Sequence, residues 1–406
     1  MTTLKRLLAL LTAAALCLAL CACKDTTGEE SGAPVPSGDV SAEPGDTSSA
    51  EPSAEIVADL SQPMYEFCSG LKDGDAAVTV NGTPVSNQYF LYWLSNYCYN
   101  VAYNSYMYYG MSMDFSDEEL RKNLLDSTKD AVVYHVVLRE LCQELDVTVT
   151  QEQQQELQDQ INEMGLEDIL LNLGVDEETF HYIAENNYLF TNYAEKLMGE
   201  PTEADLEKYV ADQKIYRVKH ILLKTVDDSR QPLEDSVIAE KKAQAEDLLS
   251  QLQAEDADGL EAKFDELMNE LSEDGRNEDG TLAAPDGYTA GPGEMVSAFE
   301  EASLALEVGG LSGIVESEFG YHIILRLPID VGEYEEDWYS DGADAAIAEA
   351  MDAAEVTVAD AITALDVNDF YNRYMAYGSA LYDEMYPAES AEPTQEPSGP
   401  EPVPEE

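Results

Sequence analysis

Positive charge is scarce in this 406-residue chain: 21 Lys and Arg face 83 Asp and Glu, for a formal net charge of −62. So acidic a surface repels phosphate backbones, and no stretch gathers Lys and Arg into a basic patch, so nucleic-acid binding is excluded as a main role. Docking of side chains on an anionic bilayer is disfavoured for the same reason. Histidine is rarer still, with four residues, His135, His181, His220 and His322. The six cysteines form no CxxC pair and no dense framework, which argues against a disulfide scaffold. No metal-ligand spacing occurs, so no metal and no cofactor is expected. What is present is a hydrophobic fraction of 44%, enough for folded domains, and a length that points to two or three of them.

The single long apolar run, Leu7 to Ala22, follows Lys5 and Arg6 and precedes the polar Lys24-Asp25-Thr26. It is short for a spanning helix and reads as an export signal. Its end, Leu20-Cys21-Ala22-Cys23, resembles a bacterial lipobox, although Cys21 is unusual within it. That likeness implies a lipoprotein signal peptide over 1–22 and lipidation of Cys23. An ordinary signal peptide with incidental cysteines is the plainer alternative. Acyl chains would anchor the chain at about 0.8 kcal/mol per buried CH₂. Cys68, Cys98 and Cys142 are then left, an odd number read as singly buried thiols.

Residues 23–55 are rich in Ser, Gly, Pro and acids and read as a disordered tether; 387–406, with six Pro and six Glu, read as a disordered acidic tail, free or partner-binding. Between them, 56–214 reads as helical after a short strand at Ala77–Val80 and an Asn81-Gly82 turn. A helix is expected from Pro84 to Gly110, with Ser86 as N-cap, and another opened by Ser116 through a capping box to Glu119. Further helices are expected at 150–163, 176–198 and 202–212. Tyr89, Phe90, Tyr92, Trp93, Tyr97, Tyr99, Tyr103, Tyr106, Tyr108 and Tyr109 crowd the first of these helices. They read either as core packing with incidental surface tyrosines or as a partly exposed surface for unfolded chains. His135 and His181 read as ordinary helix residues.

The pattern changes at Ile215. Tyr216 to Leu223 alternates as a strand does, two helices and a Gly- and Asp-rich loop over Ser272–Gly293 follow, then a helix near Glu294–Leu306 and a strand at Gly320–Leu327. A small strand is expected near Leu311–Val315. Helices return at roughly 337–352 and 367–385. Val356-Thr357-Val358 between them reads as a strand returning to Val78, which would make the first domain discontinuous.

Two of the four histidines, His220 and His322, sit in the first and last strands of the small module 215–327. Val218-Lys219-His220-Ile221-Leu222, Phe264 through Asp274, Gly293-Glu294-Met295-Val296-Ser297-Ala298-Phe299-Glu300 and Phe319-Gly320-Tyr321-His322-Ile323-Ile324 resemble a parvulin-type peptidyl-prolyl cis/trans isomerase. The layout as a whole is similar to the PrsA-like extracytoplasmic foldase lipoproteins. The resemblance implies an α+β fold: a parvulin-like module with a small antiparallel sheet and surrounding helices, inserted in or attached to a mostly helical chaperone-like domain made of 56–214 and the C-terminal helices of 328–386. It implies His220, Asp274, His322 and Ser317 as catalytic residues and Leu282, Met295 and Phe299 as the apolar pocket for the proline ring. Asp274 is read as organising the histidines or favouring the amide nitrogen, not as a base.

The resemblance also implies partners and a place: unfolded or partly folded exported polypeptides, at the outer face of a Gram-positive-type cell membrane reached by the lipid anchor. A homodimer is compatible with it, and no residue fixes one. The family's Gly-Gly-Asp-Leu-Gly run is replaced by Glu278-Asp279-Gly280-Thr281-Leu282-Ala283, and the loop to Gly293 is longer. With Lys224 followed by Asp227 and Asp228 in place of a basic cluster, and 9 basic against 25 acidic side chains over 215–327, phosphate-directed specificity is not expected. The alternatives are a non-catalytic holdase of the same architecture and, further away, a solute-binding or adhesion lipoprotein.

Overall fold

The computed structural model describes residues 56–277 and 279–386. The expected signal peptide 1–22, Cys23, the tether 23–55 and the tail 387–406 lie outside the described residues. In chain order the elements are α1 (Met64–Ser69), β1 (Ala76–Val80), β2 (Thr83–Ser86), α2 (Asn87–Tyr109), α3 (Glu118–Glu144), α4 (Gln151–Met164), α5 (Leu166–Leu173), α6 (Glu177–Met198) and α7 (Glu203–Asp212). They continue with β3 (Tyr216–Lys224), α8 (Asp235–Gln253), α9 (Ala257–Leu271), β4 (Tyr288–Ala290), α10 (Ser297–Leu304), β5 (Val315–Glu316) and β6 (Gly320–Leu327). The last are α11 (Glu335–Ala353), β7 (Val356–Val358), α12 (Asp360–Thr363) and α13 (Val367–Met385). The fold is α+β, mostly helical, with two antiparallel sheets ordered β2-β1-β7 and β4-β3-β6-β5.

The chain divides into two compact units, one running to Tyr193 and resuming at Ala345, the other Ala194–Asp344. In the first, Asn81 and Gly82 adopt positive φ (50° and 85°) and close the β1–β2 hairpin. β7 pairs with β1 in the register Val78↔Val358. Ser86 caps α2 by accepting the Tyr89 N–H. The helix starts three residues after Pro84, because Thr83–Ser86 is taken up as an edge strand, where a proline is tolerated. α3 is capped by Asp117, whose Oδ1 accepts the Leu120 N–H at 2.8 Å; Ser116 lies one residue outside. Capping boxes Thr150/Gln153 and Thr202/Asp205 open α4 and α7. The short α5 is an additional helix, ended by Gly174 at φ 68°.

Cys68, Cys98 and Cys142 are buried and free, and burial pushes their thiols up to about 12, 12 and 11. His135 accepts the Tyr89 hydroxyl on Nδ1 at 2.8 Å, while Asn186 donates to that hydroxyl at 3.0 Å. This is internal packing, and burial pushes the imidazole down to about 3.

The second unit is built on β3 and β6, which pair over eight residues. Successive side chains of a strand point to opposite faces. Ile221 and Leu223, with Tyr321, Ile323, Leu325 and Leu327, therefore share one face. That face is covered by Ala245, Leu248 and Leu252 of α8 and Phe264, Leu267 and Met268 of α9. Each Leu, Ile, Phe and Met among them contributes about 1.5–3 kcal/mol on burial. Tyr216, Val218 and Ile324 point the other way, toward Phe299 of α10. By the same alternation His220 and His322 belong to this second face.

Candidate active site

His322 stands opposite Leu222 and His220 opposite Ile324, so the two histidines are diagonal neighbours across the β3–β6 ladder. Diagonal positions lie about 7–8 Å apart in their backbones, within reach of two imidazoles. Their Nδ1 atoms are 3.2 Å apart, with rings inclined by 20°. His220 Nε2 lies 3.1 Å from Asp274 Oδ2. His322 Nε2 lies 2.6 Å from Ser317 Oγ. The same Asp274 oxygen accepts the Tyr288 hydroxyl at 2.6 Å. One hydrogen-bonded chain thus runs Tyr288–Asp274–His220–His322–Ser317.

Each end of that chain is fixed by backbone. After α9, the Glu273 N–H donates to the Leu222 carbonyl at 2.8 Å, and Ser272 Oγ accepts the N–H groups of Leu222 (3.2 Å) and Asp274 (3.4 Å). These bonds clip the segment onto β3 and aim Asp274 at His220. Ser317 sits in the turn before β6, where its Oγ accepts the Phe319 N–H at 3.1 Å. Gly320 closes that turn at φ 149°, and a Cβ there would lie 2.2 Å from the Leu223 carbonyl oxygen. Tyr288 opens β4, paired through Val218↔Tyr288. Gly287 before it adopts φ 85°, and a Cβ would meet the Val218 oxygen at 2.3 Å.

Charge follows from these contacts. Burial alone would raise Asp274; the hydrogen bond and charge of His220, the Tyr288 hydroxyl and the Gly275 N–H outweigh it and hold the carboxyl well below the usual range. Burial pushes the Tyr288 phenol up, and Asp274 pushes it further. Burial, then the neighbouring His220 charge, push His322 down to about 4. His322 is therefore neutral at pH 7. Asp274 can only accept, so His220 donates from Nε2. With His220 neutral, its Nδ1 accepts from His322 Nδ1–H, and Ser317 donates to His322 Nε2. A proton added to His220 Nδ1 reverses both bonds made by His322: His220 then donates to His322, and His322 donates to Ser317.

The apolar partners divide. Phe299 is buried and packs edge-on against both imidazoles, with centroids at 5.0 Å from His220 and 5.4 Å from His322. Met295 is half-buried in the same cluster. Leu282 joins the opposite cluster, with Ile221, Phe264 and Met268. It shares with His220, Asp274 and Tyr288 the lining of a hollow of about 10 Å³. That is room for one water and not for a proline ring. The loop before it folds as a small hairpin, with the Asn277 N–H on the Thr281 carbonyl at 2.9 Å and a bridge from Arg276 to Leu282.

Tyr288 and Ser272 are the members of this constellation absent from the expected set. β4 has three residues, too few for alternation to register against its Gly-rich surroundings. Ser272 acts only on backbone, which leaves no mark in the sequence. Among the described residues no cluster of three or more His, Cys, Asp or Glu could hold a metal ion, and no helix is long and apolar enough to cross a membrane.

Comparison with known proteins bears on residues 220–327, which match the family described as Rotamase, PPIC-type PPIASE domain. Peptidyl-prolyl cis-trans isomerase ESS1 of Saccharomyces cerevisiae is 33% identical over 133 residues, covering 32% of this chain and 75% of that protein. Foldase protein PrsA 4 of Bacillus cereus is 29% identical over 226 residues, covering 55% of this chain and 69% of the foldase. Chaperone SurA of Chromohalobacter salexigens is 40% identical over 111 residues, which is 27% of this chain and 21% of the chaperone. The chain thus spans about a fifth of the SurA protein and more than two thirds of the other two.

Proposed function

This chain belongs to the PPIC-type, or parvulin, family of peptidyl-prolyl cis/trans isomerases, and from that premise we propose a foldase that isomerises X–Pro bonds at His220, His322, Asp274 and Ser317, with Tyr288 positioning Asp274. The barrier to be lowered is about 18–20 kcal/mol, set by conjugation of the amide nitrogen with its carbonyl. In the planar amide that conjugation puts negative charge on oxygen. Twisting withdraws it and returns a lone pair to nitrogen. An apolar surface therefore favours the twisted state over the planar one, and so does negative charge near the oxygen. Phe299 and Met295 supply the apolar surface for the proline ring. Asp274 supplies fixed negative charge, and the imidazoles transmit its orientation. No nucleophile is required.

The observation that carries this reading is the unbroken chain of hydrogen bonds from Tyr288 to Ser317, lying against the Phe299 ring within the matched residues. The test is acceleration of cis/trans exchange in a short X–Pro peptide by the purified chain. Exchange at the uncatalysed rate would refute it. A non-catalytic holdase is the second reading, favoured by the replacement of the family's Gly-Gly-Asp-Leu-Gly run and the longer loop to Gly293.

The whole protein's role extends the proposal. Its clients are unfolded exported polypeptides of neutral or basic charge, since the surrounding acidic surface repels acidic and phosphorylated ones. Its place is the outer face of the cell membrane, held by lipid on Cys23. Cys23→Ser should release the chain from the membrane pellet to the medium; retention in the pellet would remove the anchor from the account.

A further inference from the structure

The end of α2 leaves the core that its beginning builds. From Asn87 to Met113 no residue is charged, in a chain where 26% of residues are. Tyr89, Phe90, Leu91, Leu94 and Cys98 are buried. Two turns later the exposures are 62% for Tyr106, 58% for Met107, 78% for Tyr108, 74% for Tyr109 and 58% for Met111.

This tip is held in place. Gly110, at φ 64°, caps the helix by donating its N–H to the Tyr106 carbonyl. Ser105 Oγ donates to the Met111 carbonyl at 3.2 Å and turns the chain back. The return is anchored by Phe115, which is buried, packs edge-on at 4.9 Å against Tyr371 and donates its N–H to Asn368 Oδ1 at 3.1 Å. The five side chains are displayed by ordered backbone, so a ligand does not have to order it.

Three occupants suit an aromatic tip: a second copy, a bilayer or an unfolded polypeptide. The tip offers roughly 600 Å², taking 150–250 Å² for a whole aromatic side chain. That is below the ~800 Å² per partner of a stable interface, and two copies at −62 each repel. A bilayer surface is approached by aromatics flanked with Lys and Arg, which α2 lacks entirely. A short extended peptide fits the area. Rigid tyrosine rings and adaptable methionines suit weak contact with many sequences.

We propose that the tip Tyr106–Met111 binds apolar and aromatic segments of unfolded polypeptides, without regard to proline. The segment Asn87–Met113 carries no charge, so neutral and basic segments reach the tip without repulsion from it. The proposal deepens the foldase reading and rests on it for the kind of client, but it concerns residues of the other compact unit.

The test uses the full chain with Tyr106→Ser, Tyr108→Ser and Tyr109→Ser combined, and separately Tyr108→Glu alone. All three positions are exposed, so unchanged thermal unfolding is expected for both variants. The readout is suppression of aggregation of a proline-free unfolded polypeptide of near-zero net charge. The concentration for half suppression should rise about fivefold or more, while kcat/KM on a short X–Pro peptide stays within about twofold. Unchanged suppression would overturn the proposal. So would a wild-type dimer in sedimentation equilibrium that the triple variant dissolves, which assigns the tip to a second copy. Flotation of the unlipidated chain (Cys23→Ser) with phospholipid vesicles, lost in the triple variant, would assign it to a bilayer. A chain inactive on the peptide but tip-dependent in suppression would sink the isomerase reading and leave this one standing.

Discussion

His220 and His322 face each other Nδ1 to Nδ1 at 3.2 Å, on strands that begin and end the same module. Two imidazoliums cannot share that contact, since both would donate into it. The pair therefore works as one unit carrying a single proton between its facing nitrogens.

That unity sets the first prediction. His220→Phe and His322→Phe should each lower kcat/KM on an X–Pro peptide by roughly 5- to 150-fold, the range for leaving a buried polar partner unsatisfied at about 1–3 kcal/mol. The double variant should fall no further than the worse single. Multiplying effects would show that the histidines act separately.

Acid should destabilise the isomerase unit. His322 is held at about 4, against about 6.5 in an unfolded chain. Between those values the unfolded chain binds a proton that the folded chain refuses, so stability falls as pH drops from 6.5 toward 4, by roughly 2–3 kcal/mol. Asp274, held below the usual carboxylate range, stabilises above its unfolded value and loses that contribution at still lower pH. His135 in the other unit carries the same sign as His322. Urea unfolding of His322→Gln against the parent isolates the difference: the variant's slope over pH 4–6.5 should be shallower. An equal slope would contradict the assignment.

Tyr288→Phe removes one donor from Asp274 and leaves the ring that packs 5.6 Å from His220. The Asp274 carboxyl should titrate at higher pH by carbon-detected NMR, and kcat/KM should drop about tenfold, the value of one charge-assisted hydrogen bond near 1.5 kcal/mol. An unmoved titration would remove Tyr288 from the network.

Gly287→Ala should act at a distance. The new Cβ would meet the Val218 carbonyl oxygen at 2.3 Å at a φ of 85°, so β4 must shift or the backbone strain. A loss of about 1–3 kcal/mol in urea unfolding is expected, together with the activity loss of Tyr288→Phe. Full activity at reduced stability would show that β4 need not be in register for catalysis.

The site was legible in the sequence where it rides on long strands. Alternation in Tyr216–Leu223 and the apolar run Gly320–Leu327 announce β3 and β6, whereas the placing of both histidines on one face follows from the pairing register His220↔Ile324 and Leu222↔His322. Asp274 required the family resemblance, because its position depends on backbone bonds from residues 272–273 to Leu222. Tyr288 escaped because a three-residue strand has no period. The family resemblance groups Leu282 with Met295 and Phe299, whereas the structure packs Leu282 into the cluster on the other face of the sheet. The role of Asp274 also changes on physical grounds. A carboxylate near the amide oxygen opposes charge that the planar amide already carries and the twisted one loses, so it assists rotation at that end too.

The most direct measurement is exchange spectroscopy on a short X–Pro peptide, with wild-type chain and with Asp274→Ala. The account predicts fast exchange with the wild type and, with the variant, a fall of about tenfold or more while the fold is kept. Equal exchange by both, or none above the peptide's own rate with the wild type, would contradict it.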